Sequence, residues 1–270
     1  MRNLYVSDLD GTLLRSDETL SQFTIDTINE LTSKGMLFSY ATARSLVTAK
    51  KVTKGLNTHF PLIVYNGAFI MDNVTEEILA AHYFERDISN VFAELFANDI
   101  YPIVYAYRDG TEKFSFIPEK CTAGMDKFIQ SRSGDRRTNP VNTPDELTEG
   151  NPFYITCIDI PEKLEPFYKK YKDQYHAVYQ RDIYTGDQWL EIMPREASKS
   201  RAIQELKELL KCERLITFGD GKNDMDMFEL SDEAYAVENA DEELKVIATK
   251  IIASNNEDGV ARWLKENSVK

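Results

Sequence analysis

Short apolar runs punctuate the chain, and several of them end in small or acidic residues. Leu4-Tyr5-Val6-Ser7 runs straight into Asp8-Leu9-Asp10-Gly11-Thr12-Leu13-Leu14, which predicts a buried strand that closes on two carboxylates spaced i, i+2. Side chains two apart on an extended backbone point the same way, so Asp8 and Asp10 are expected to face one pocket, with Gly11 turning the chain beyond them. The period then becomes helical: Ser21 caps a helix with Ile25, Ile28 and Leu31 on one stripe, and Gly35 closes it. Residues 36–40 read as a strand running into Ala41-Thr42-Ala43-Arg44, and a second helix reaches Gly55. Residues 62–65 read as a third strand, closed by the hairpin pair Asn66-Gly67. Strands alternating with helices imply right-handed crossovers and a parallel sheet.

From Phe84 to Trp189 the texture changes. Residues 103–107 and 113–117 flank Arg108-Asp109-Gly110 as an antiparallel hairpin, with helices expected near 91–96, 124–130 and 164–171 and strands near 153–158 and 177–180. Residues 131–150, with Pro140, Pro144 and several charges, read as an exposed loop. Alternation resumes near Glu191: Ser198 precedes an amphipathic helix, and Leu215-Ile216-Thr217-Phe218 runs into Gly219-Asp220-Gly221-Lys222-Asn223-Asp224, a second acidic cluster at a strand end. The pattern is an α+β domain at 84–189 inserted into an α/β domain made of 1–83 and 190–270. Ligands of open α/β sheets bind beyond the carboxyl ends of strands, so Asp8, Asp10, Thr42 and Asp220 are expected to converge there.

Composition narrows the function classes. A length of 270 residues with 42% apolar residues accommodates two cored domains. A formal charge of −13 disfavours a nucleic-acid or anionic-membrane partner and means that a phosphorylated substrate needs a local cation. Cys121, Cys157 and Cys212 are odd in number and widely spaced, which suits a reducing cytoplasm rather than a disulfide framework or zinc ribbon. The N-terminus lacks a signal-peptide pattern and no apolar run approaches membrane-spanning length. His59, His82 and His176 share no ligand spacing and read as structural. Nine of the fourteen tyrosines (Tyr101, Tyr105, Tyr107, Tyr154, Tyr168, Tyr171, Tyr175, Tyr179 and Tyr184) fall in the insert, offering either a stacking surface or ordinary strand residues.

The motifs together resemble the haloacid dehalogenase (HAD) superfamily, in its order: Asp8-x-Asp10-Gly11-Thr12-Leu13, then Thr42, then Lys199, then Gly219-Asp220 with Asp224. Asn66-Gly67, Asn223 and the tail Asn255-Asn256-Glu257-Asp258-Gly259-Val260 resemble its Cof-type hydrolases. Ala43 and Ala197 stand where glycine is common and Ser7 where an apolar residue is usual; none is a catalytic group. The resemblance implies a Rossmann-like doubly wound parallel-sheet core with an inserted α+β cap that acts as lid and specificity module.

It further implies a Mg²⁺-dependent phosphatase of small phosphorylated metabolites, with Asp8 as nucleophile and Asp10 as general acid and base, binding the metal through its backbone carbonyl. Asp220 would complete the metal site with Asp224 behind it. Thr42, Ala43, Arg44, Asn66, Lys199 and Asn223 would meet the phosphate, with Thr42 and Lys199 stabilising charge. The physical need is plain: a phosphate dianion repels a carboxylate nucleophile unless cations stand between them. A phosphomutase shares every motif, and a phosphoacceptor or regulatory binder would use similar acidic clusters without turnover. The absence of Gly-x-x-x-x-Gly-Lys-Ser/Thr disfavours a P-loop NTPase. Neither the leaving group nor the oligomeric state is encoded in a motif.

Overall fold

Strand β1 (Asn3–Ser7) is buried at every position after Asn3, as a strand is when helices cover both faces of a parallel sheet. The computed structural model describes residues 2–57, 59–84, 88–182 and 185–268. Helix α1 (Gln22–Ser33) begins where the Ser21 hydroxyl accepts from the Thr24 N–H at 3.0 Å, and it buries Thr24, Thr27, Ile28 and Leu31. It leads to β2 (Leu37–Tyr40), parallel to β1, and then to α2 (Leu46–Val52). Strands β3 (Leu62–Val64), β4 (Phe69–Met71) and β5 (Ile78–Ala81) form an antiparallel sheet of their own. The third strand expected in the parallel sheet therefore touches it through one parallel bridge, Ala41 to Ile63. The reason is local: the Asn66-Gly67 turn returns the chain at once into β4, which takes the pairing of β3.

The chain divides into two units, Met1–Ala81 with Ser198–Lys270, and His82–Ala197. The second unit contains α3 (Ser89–Ala97), β6 (Ile103–Arg108), β7 (Thr111–Phe116), α4 (Ala123–Ser131), β8 (Thr138–Pro140), α5 (Pro144–Leu147), β9 (Asn151–Ile158), α6 (Pro161–Tyr171), β10 (His176–Arg181) and β11 (Gln188–Met193). Its sheet runs β10-β11-β9-β6-β7-β8 and is antiparallel except for β7 with β8. Val104, Ile155, Cys157, Leu190 and Ile192 from the strands join Phe92 and Leu95 of α3 and Leu164 and Phe167 of α6 in one core.

Two expectations change here, and the open question of the tyrosines narrows. Residues 131–150 are not one exposed loop: they hold β8 and α5, with Thr143 and Glu146 forming a reciprocal cap and Leu147 fully buried. Charge there does not mean exposure, because Arg137 is 7% exposed and pairs with Glu112 and Asp135, both at 2.6 Å. Glu191 does not reopen the α/β part; β11 pairs with β9 and β10 inside the second unit. The tyrosines serve packing: Tyr105, Tyr154 and Tyr171 are buried, and Tyr101, Tyr168, Tyr175 and Tyr179 lie against the unit's core. Tyr184 lies outside the described residues.

The first unit resumes with α7 (Lys199–Leu209), β12 (Arg214–Gly219), α8 (Met225–Glu229), β13 (Glu233–Val237), α9 (Glu242–Ile247), β14 (Lys250–Ile252) and α10 (Gly259–Asn267). Its sheet is five-stranded and parallel, ordered β14-β13-β12-β1-β2. Connections from β1 go one way along the sheet and those from β12 the other, so the crevice between their carboxyl ends is the topological switch point. Among the described residues no helix is long and apolar enough to cross a membrane.

Leu95 is fully buried in the core of the second unit, so Leu95→Ala should lower unfolding free energy by about 2–5 kcal/mol. Urea denaturation followed by circular dichroism measures it, and a loss under about 1 kcal/mol would contradict this packing.

Candidate active site

Asp8 is the first residue past β1, and its N–H still donates to the Phe218 carbonyl of β12 at 2.9 Å. The chain then folds into a tight turn over Leu9–Leu13, closed by the Leu14 N–H donating to the Leu9 carbonyl at 2.8 Å. Gly11 sits in it at φ +79°, and a Cβ there would lie 2.1 Å from Asp220 Oδ2. The backbone angle favours glycine, and any side chain there would also displace the Asp220 carboxylate. The Thr12 hydroxyl donates to Asp220 Oδ1 at 3.0 Å, tying the turn to the residue that follows β12.

Lys199 opens α7, where the Ser198 hydroxyl accepts from the Arg201 N–H at 3.2 Å. Its ammonium, 2% exposed as a residue, donates to Asp8 Oδ1 at 2.5 Å and to Asp224 Oδ1 at 2.7 Å. Asp224 Oδ2 accepts from the N–H groups of Asp220 and Gly221, each at 3.1 Å, so both oxygens of Asp224 are engaged. Gly67 lets the β3–β4 turn lie against this helix start, since a Cβ there would be 2.2 Å from the Ser198 carbonyl oxygen.

Asp8, Asp220 and Asp224 each bring a carboxylate oxygen within 4.8 Å of the others. With one ammonium among three carboxylates the set is net negative. Burial pushes the Asp8 carboxyl well above its ordinary range; Lys199 opposes this, while Asp224, Asp220 and Asp10 add to it. Burial, then Asp224, pushes Asp220 up to about 7. Burial works against the Lys199 charge, yet Asp224 and Asp8 overcome it and hold its pKa above the usual lysine value. Hard oxygens short of positive charge are the donor set that Mg²⁺ or a similar cation satisfies. Because Asp224 is already engaged, Asp8 and Asp220 are the side chains left to face such an ion.

Asp10 has a cation of its own, while its charge is still felt by Asp8 and Asp220. The turn after β1 breaks the strand's alternation, and the Asp10 carboxylate is gripped by Arg44, with Nε at 3.1 and 2.9 Å from its two oxygens and the terminal nitrogen at 2.6 Å. The same terminal nitrogen donates to Glu18 at 2.8 Å. Thr42 is fully buried, and its hydroxyl accepts from the Arg44 N–H at 3.1 Å. Its carbonyl accepts from the Asn66 N–H at 2.9 Å, and the Arg44 carbonyl accepts from the Tyr65 N–H at 3.0 Å, so the Thr42 loop and the Asn66 turn brace each other. Ala43 is half-buried in that loop, and Asn223 is half-buried in the single turn Lys222–Asp224. Sequence reasoning missed Thr12, Glu18 and Asn239, whose Nδ2 donates to the Gly11 carbonyl at 2.8 Å. Only Thr12 carried a signal, by sitting inside the first motif.

A strand-end carboxylate set at the switch point of a doubly wound sheet defines the class: the chain belongs to the haloacid dehalogenase-like hydrolases, whose family profile matches residues 5–264. A Haemophilus influenzae protein is 29% identical over 263 residues, covering 96% of each chain. A Bacillus subtilis enzyme named 5-amino-6-(5-phospho-D-ribitylamino)uracil phosphatase is 27% identical over 289 aligned residues, covering 97% of this chain and 96% of its own. A crystal structure from Thermotoga maritima superposes with a TM-score of 0.80 at 25% identity, covering 100% of this chain and 99% of its own.

A carboxyl with a raised folded-state pKa favours folding while it can stay protonated. Its contribution is present below the unfolded pKa and lost as pH rises through the folded value, for Asp220 about 7. The metal-free protein should therefore lose stability between about pH 4 and 8 on account of this group. Added Mg²⁺ should raise Tm more at pH 8 than at pH 5.5, since below the Asp220 value of about 7 protons compete for the same oxygens. Thermal unfolding with and without MgCl₂ at both pH values measures this, and an equal or larger shift at the lower pH would refute it.

Proposed function

We propose that the protein is a Mg²⁺-dependent phosphatase of small phosphorylated metabolites, sugar phosphates or similar phosphomonoesters, acting through an aspartyl-phosphate on Asp8. What carries the reading is the Lys199 ammonium shared by Asp8 and Asp224 beside Asp220. It is an arrangement with one carboxylate nucleophile, one fixed cation and an unmet demand for a second cation. The name of the Bacillus subtilis relative, a phosphatase of a phosphorylated ribityl compound, supports the substrate class.

Asp8, Asp220 and the Asp10 backbone carbonyl would hold Mg²⁺, which when bound supplies charge screening between nucleophile and phosphate. Asp8 attacks phosphorus as the bond to the leaving oxygen breaks, and Asp10 gives that oxygen its proton. In the second half Asp10 takes a proton from water as the water attacks the same phosphorus, releasing inorganic phosphate and restoring the Asp8 carboxylate. Lys199 holds the Asp8 carboxylate in place and, with the Thr42 hydroxyl, offsets charge on the transferring group. We assign choice of leaving group to the second unit, as lid and specificity module.

A turnover screen of the purified protein with Mg²⁺ against phosphorylated metabolites, reading free phosphate and any rearranged ester, tests the assignment. Release of phosphate supports a phosphatase; rearranged ester alone would make it a mutase, and no turnover on any compound would favour a binder. Asp8→Asn should abolish turnover and weaken Mg²⁺ binding together. Asp10→Asn should lower turnover by roughly 10²–10⁴-fold, the range of general acid–base catalysis, and leave Mg²⁺ affinity nearly unchanged. Calorimetric titration of Mg²⁺ into both variants decides the matter: equal losses of affinity would defeat this division of roles.

A further inference from the structure

The tail Asn255-Asn256-Glu257-Asp258-Gly259 contributes no group to the chemistry above, yet it grips the segment that follows Asp10. Asn255 Nδ2 donates to the Leu14 carbonyl at 2.9 Å, and its N–H donates to Asn239 Oδ1 at 3.0 Å, whose Nδ2 in turn reaches the Gly11 carbonyl. Asn256 Oδ1 accepts from the Ser16 N–H at 3.1 Å and its Nδ2 donates to the Ser16 hydroxyl at 2.9 Å. Asp258, held in the left-handed region at φ 61°, takes Arg15 on both oxygens at 3.3 and 2.9 Å and accepts from the Thr24 hydroxyl at 3.2 Å.

Residues 15–19 close into a small loop, with the Arg15 N–H donating to the Thr19 carbonyl and the Glu18 N–H to the Arg15 carbonyl, each at 2.9 Å. That loop presents Glu18 to Arg44, and Arg44 clamps Asp10. A guanidinium is a planar fork: with Glu18 on one terminal nitrogen, its remaining donors are aimed, and the Asp10 carboxylate has one orientation that satisfies them. An arginine committed to two carboxylates is also poorly suited to serve as a phosphate ligand.

We propose that Asp258, Glu18 and Arg44 are positioning residues that act in series, the C-terminal loop fixing the Asp10 carboxylate through Arg15, Glu18 and Arg44. The inference rests on the phosphatase reading, with Asp10 as proton donor. Its consequence is selective. A misaimed acid harms departure of a basic leaving group far more than departure of one that leaves readily as an anion, whereas a general loss of packing harms both alike.

The test compares kcat and KM for phenyl phosphate and p-nitrophenyl phosphate with Mg²⁺. Phenoxide needs the proton more than p-nitrophenoxide does, and the two esters are otherwise alike in shape. Asp10→Asn sets the scale of a selective loss. Arg44→Gln should lower kcat on phenyl phosphate on the order of 10²-fold, and on the nitrophenyl ester only a few-fold, with KM nearly constant. Arg44→Lys should recover part of that loss. Glu18→Gln and Asp258→Asn should show the same selectivity at about 3- to 10-fold; asparagine keeps the left-handed backbone and the acceptor to Thr24, so that variant stays folded. Equal losses on both esters, a rise in KM for Arg44→Gln at an unchanged kcat ratio, or no effect of Glu18→Gln and Asp258→Asn would overturn the proposal. If the wild type hydrolysed neither ester nor any metabolite of the screen, the phosphatase reading itself would fall, and the series with it.

Discussion

The constraint on which the first unit depends is a single ammonium, that of Lys199, shut away from water between Asp8 and Asp224. Removing one partner of a buried ion pair costs on the order of 3–5 kcal/mol because the other charge is left without a counterion. Lys199 is therefore a fixed point for three segments, the end of β1, the start of α7 and the turn after β12, and on the proposed reading a functional group as well. Neighbouring choices follow from it. Gly67 brings the β3–β4 turn against the helix start, and the N–H groups of Asp220 and Gly221 hold the second oxygen of Asp224. Even so, one ammonium cannot balance three carboxylates, and Asp224 adds to the burial that raises the pKa of Asp220. A cation bound at these oxygens would offset that excess of negative charge.

Sheet topology explains why these groups meet. Asp8 directly follows Ser7 and Asp220 directly follows Gly219, and the parallel register sets Ser7 beside Phe218. Two adjacent strands of one register thus deliver their next residues to one crevice, and the opposite winding of their connections keeps that crevice uncovered by either crossover. The close approach this creates has a steric condition, met at Gly11, where a methyl group would collide with Asp220.

Much of this was readable from local chemistry. The serine caps of α1 and α7 were marked by hydroxyl residues ahead of amphipathic stripes, and the Asn66-Gly67 turn by its dipeptide, because capping and turn geometry depend on residues a few positions apart. The acidic strand ends and Lys199 could be placed because their order and strand context were distinctive. What escaped was decided by distant partners. The apolar residues of β3 do not say whether β2 or β4 will take their hydrogen bonds. Arg137 looked like loop polarity, but Glu112 and Asp135 neutralise it inside the second unit. Glu18 and Asn239 are unremarkable in sequence, since each acquires a role only from a residue far along the chain, Arg44 for one and the Gly11 carbonyl for the other.

Asp8 and Asp10 bring the levels together, being the same residue type two positions apart with different surroundings. Asp8 ends a buried strand and meets Lys199 in a dry setting. Asp10 lies beyond the first bend of the turn, with its side chain 24% exposed and its oxygens held by Arg44. Environment rather than residue type separates such pairs into different chemical tasks. Here the separation lies in the partners: Asp10 still repels Asp8, but each carboxylate has a different cation, Lys199 for one and Arg44 for the other. The turn closed at Leu14 carries Asp10, and Arg44 meets its carboxylate there. On the proposed reading, those different partners let one aspartate attack phosphorus while the other handles the proton.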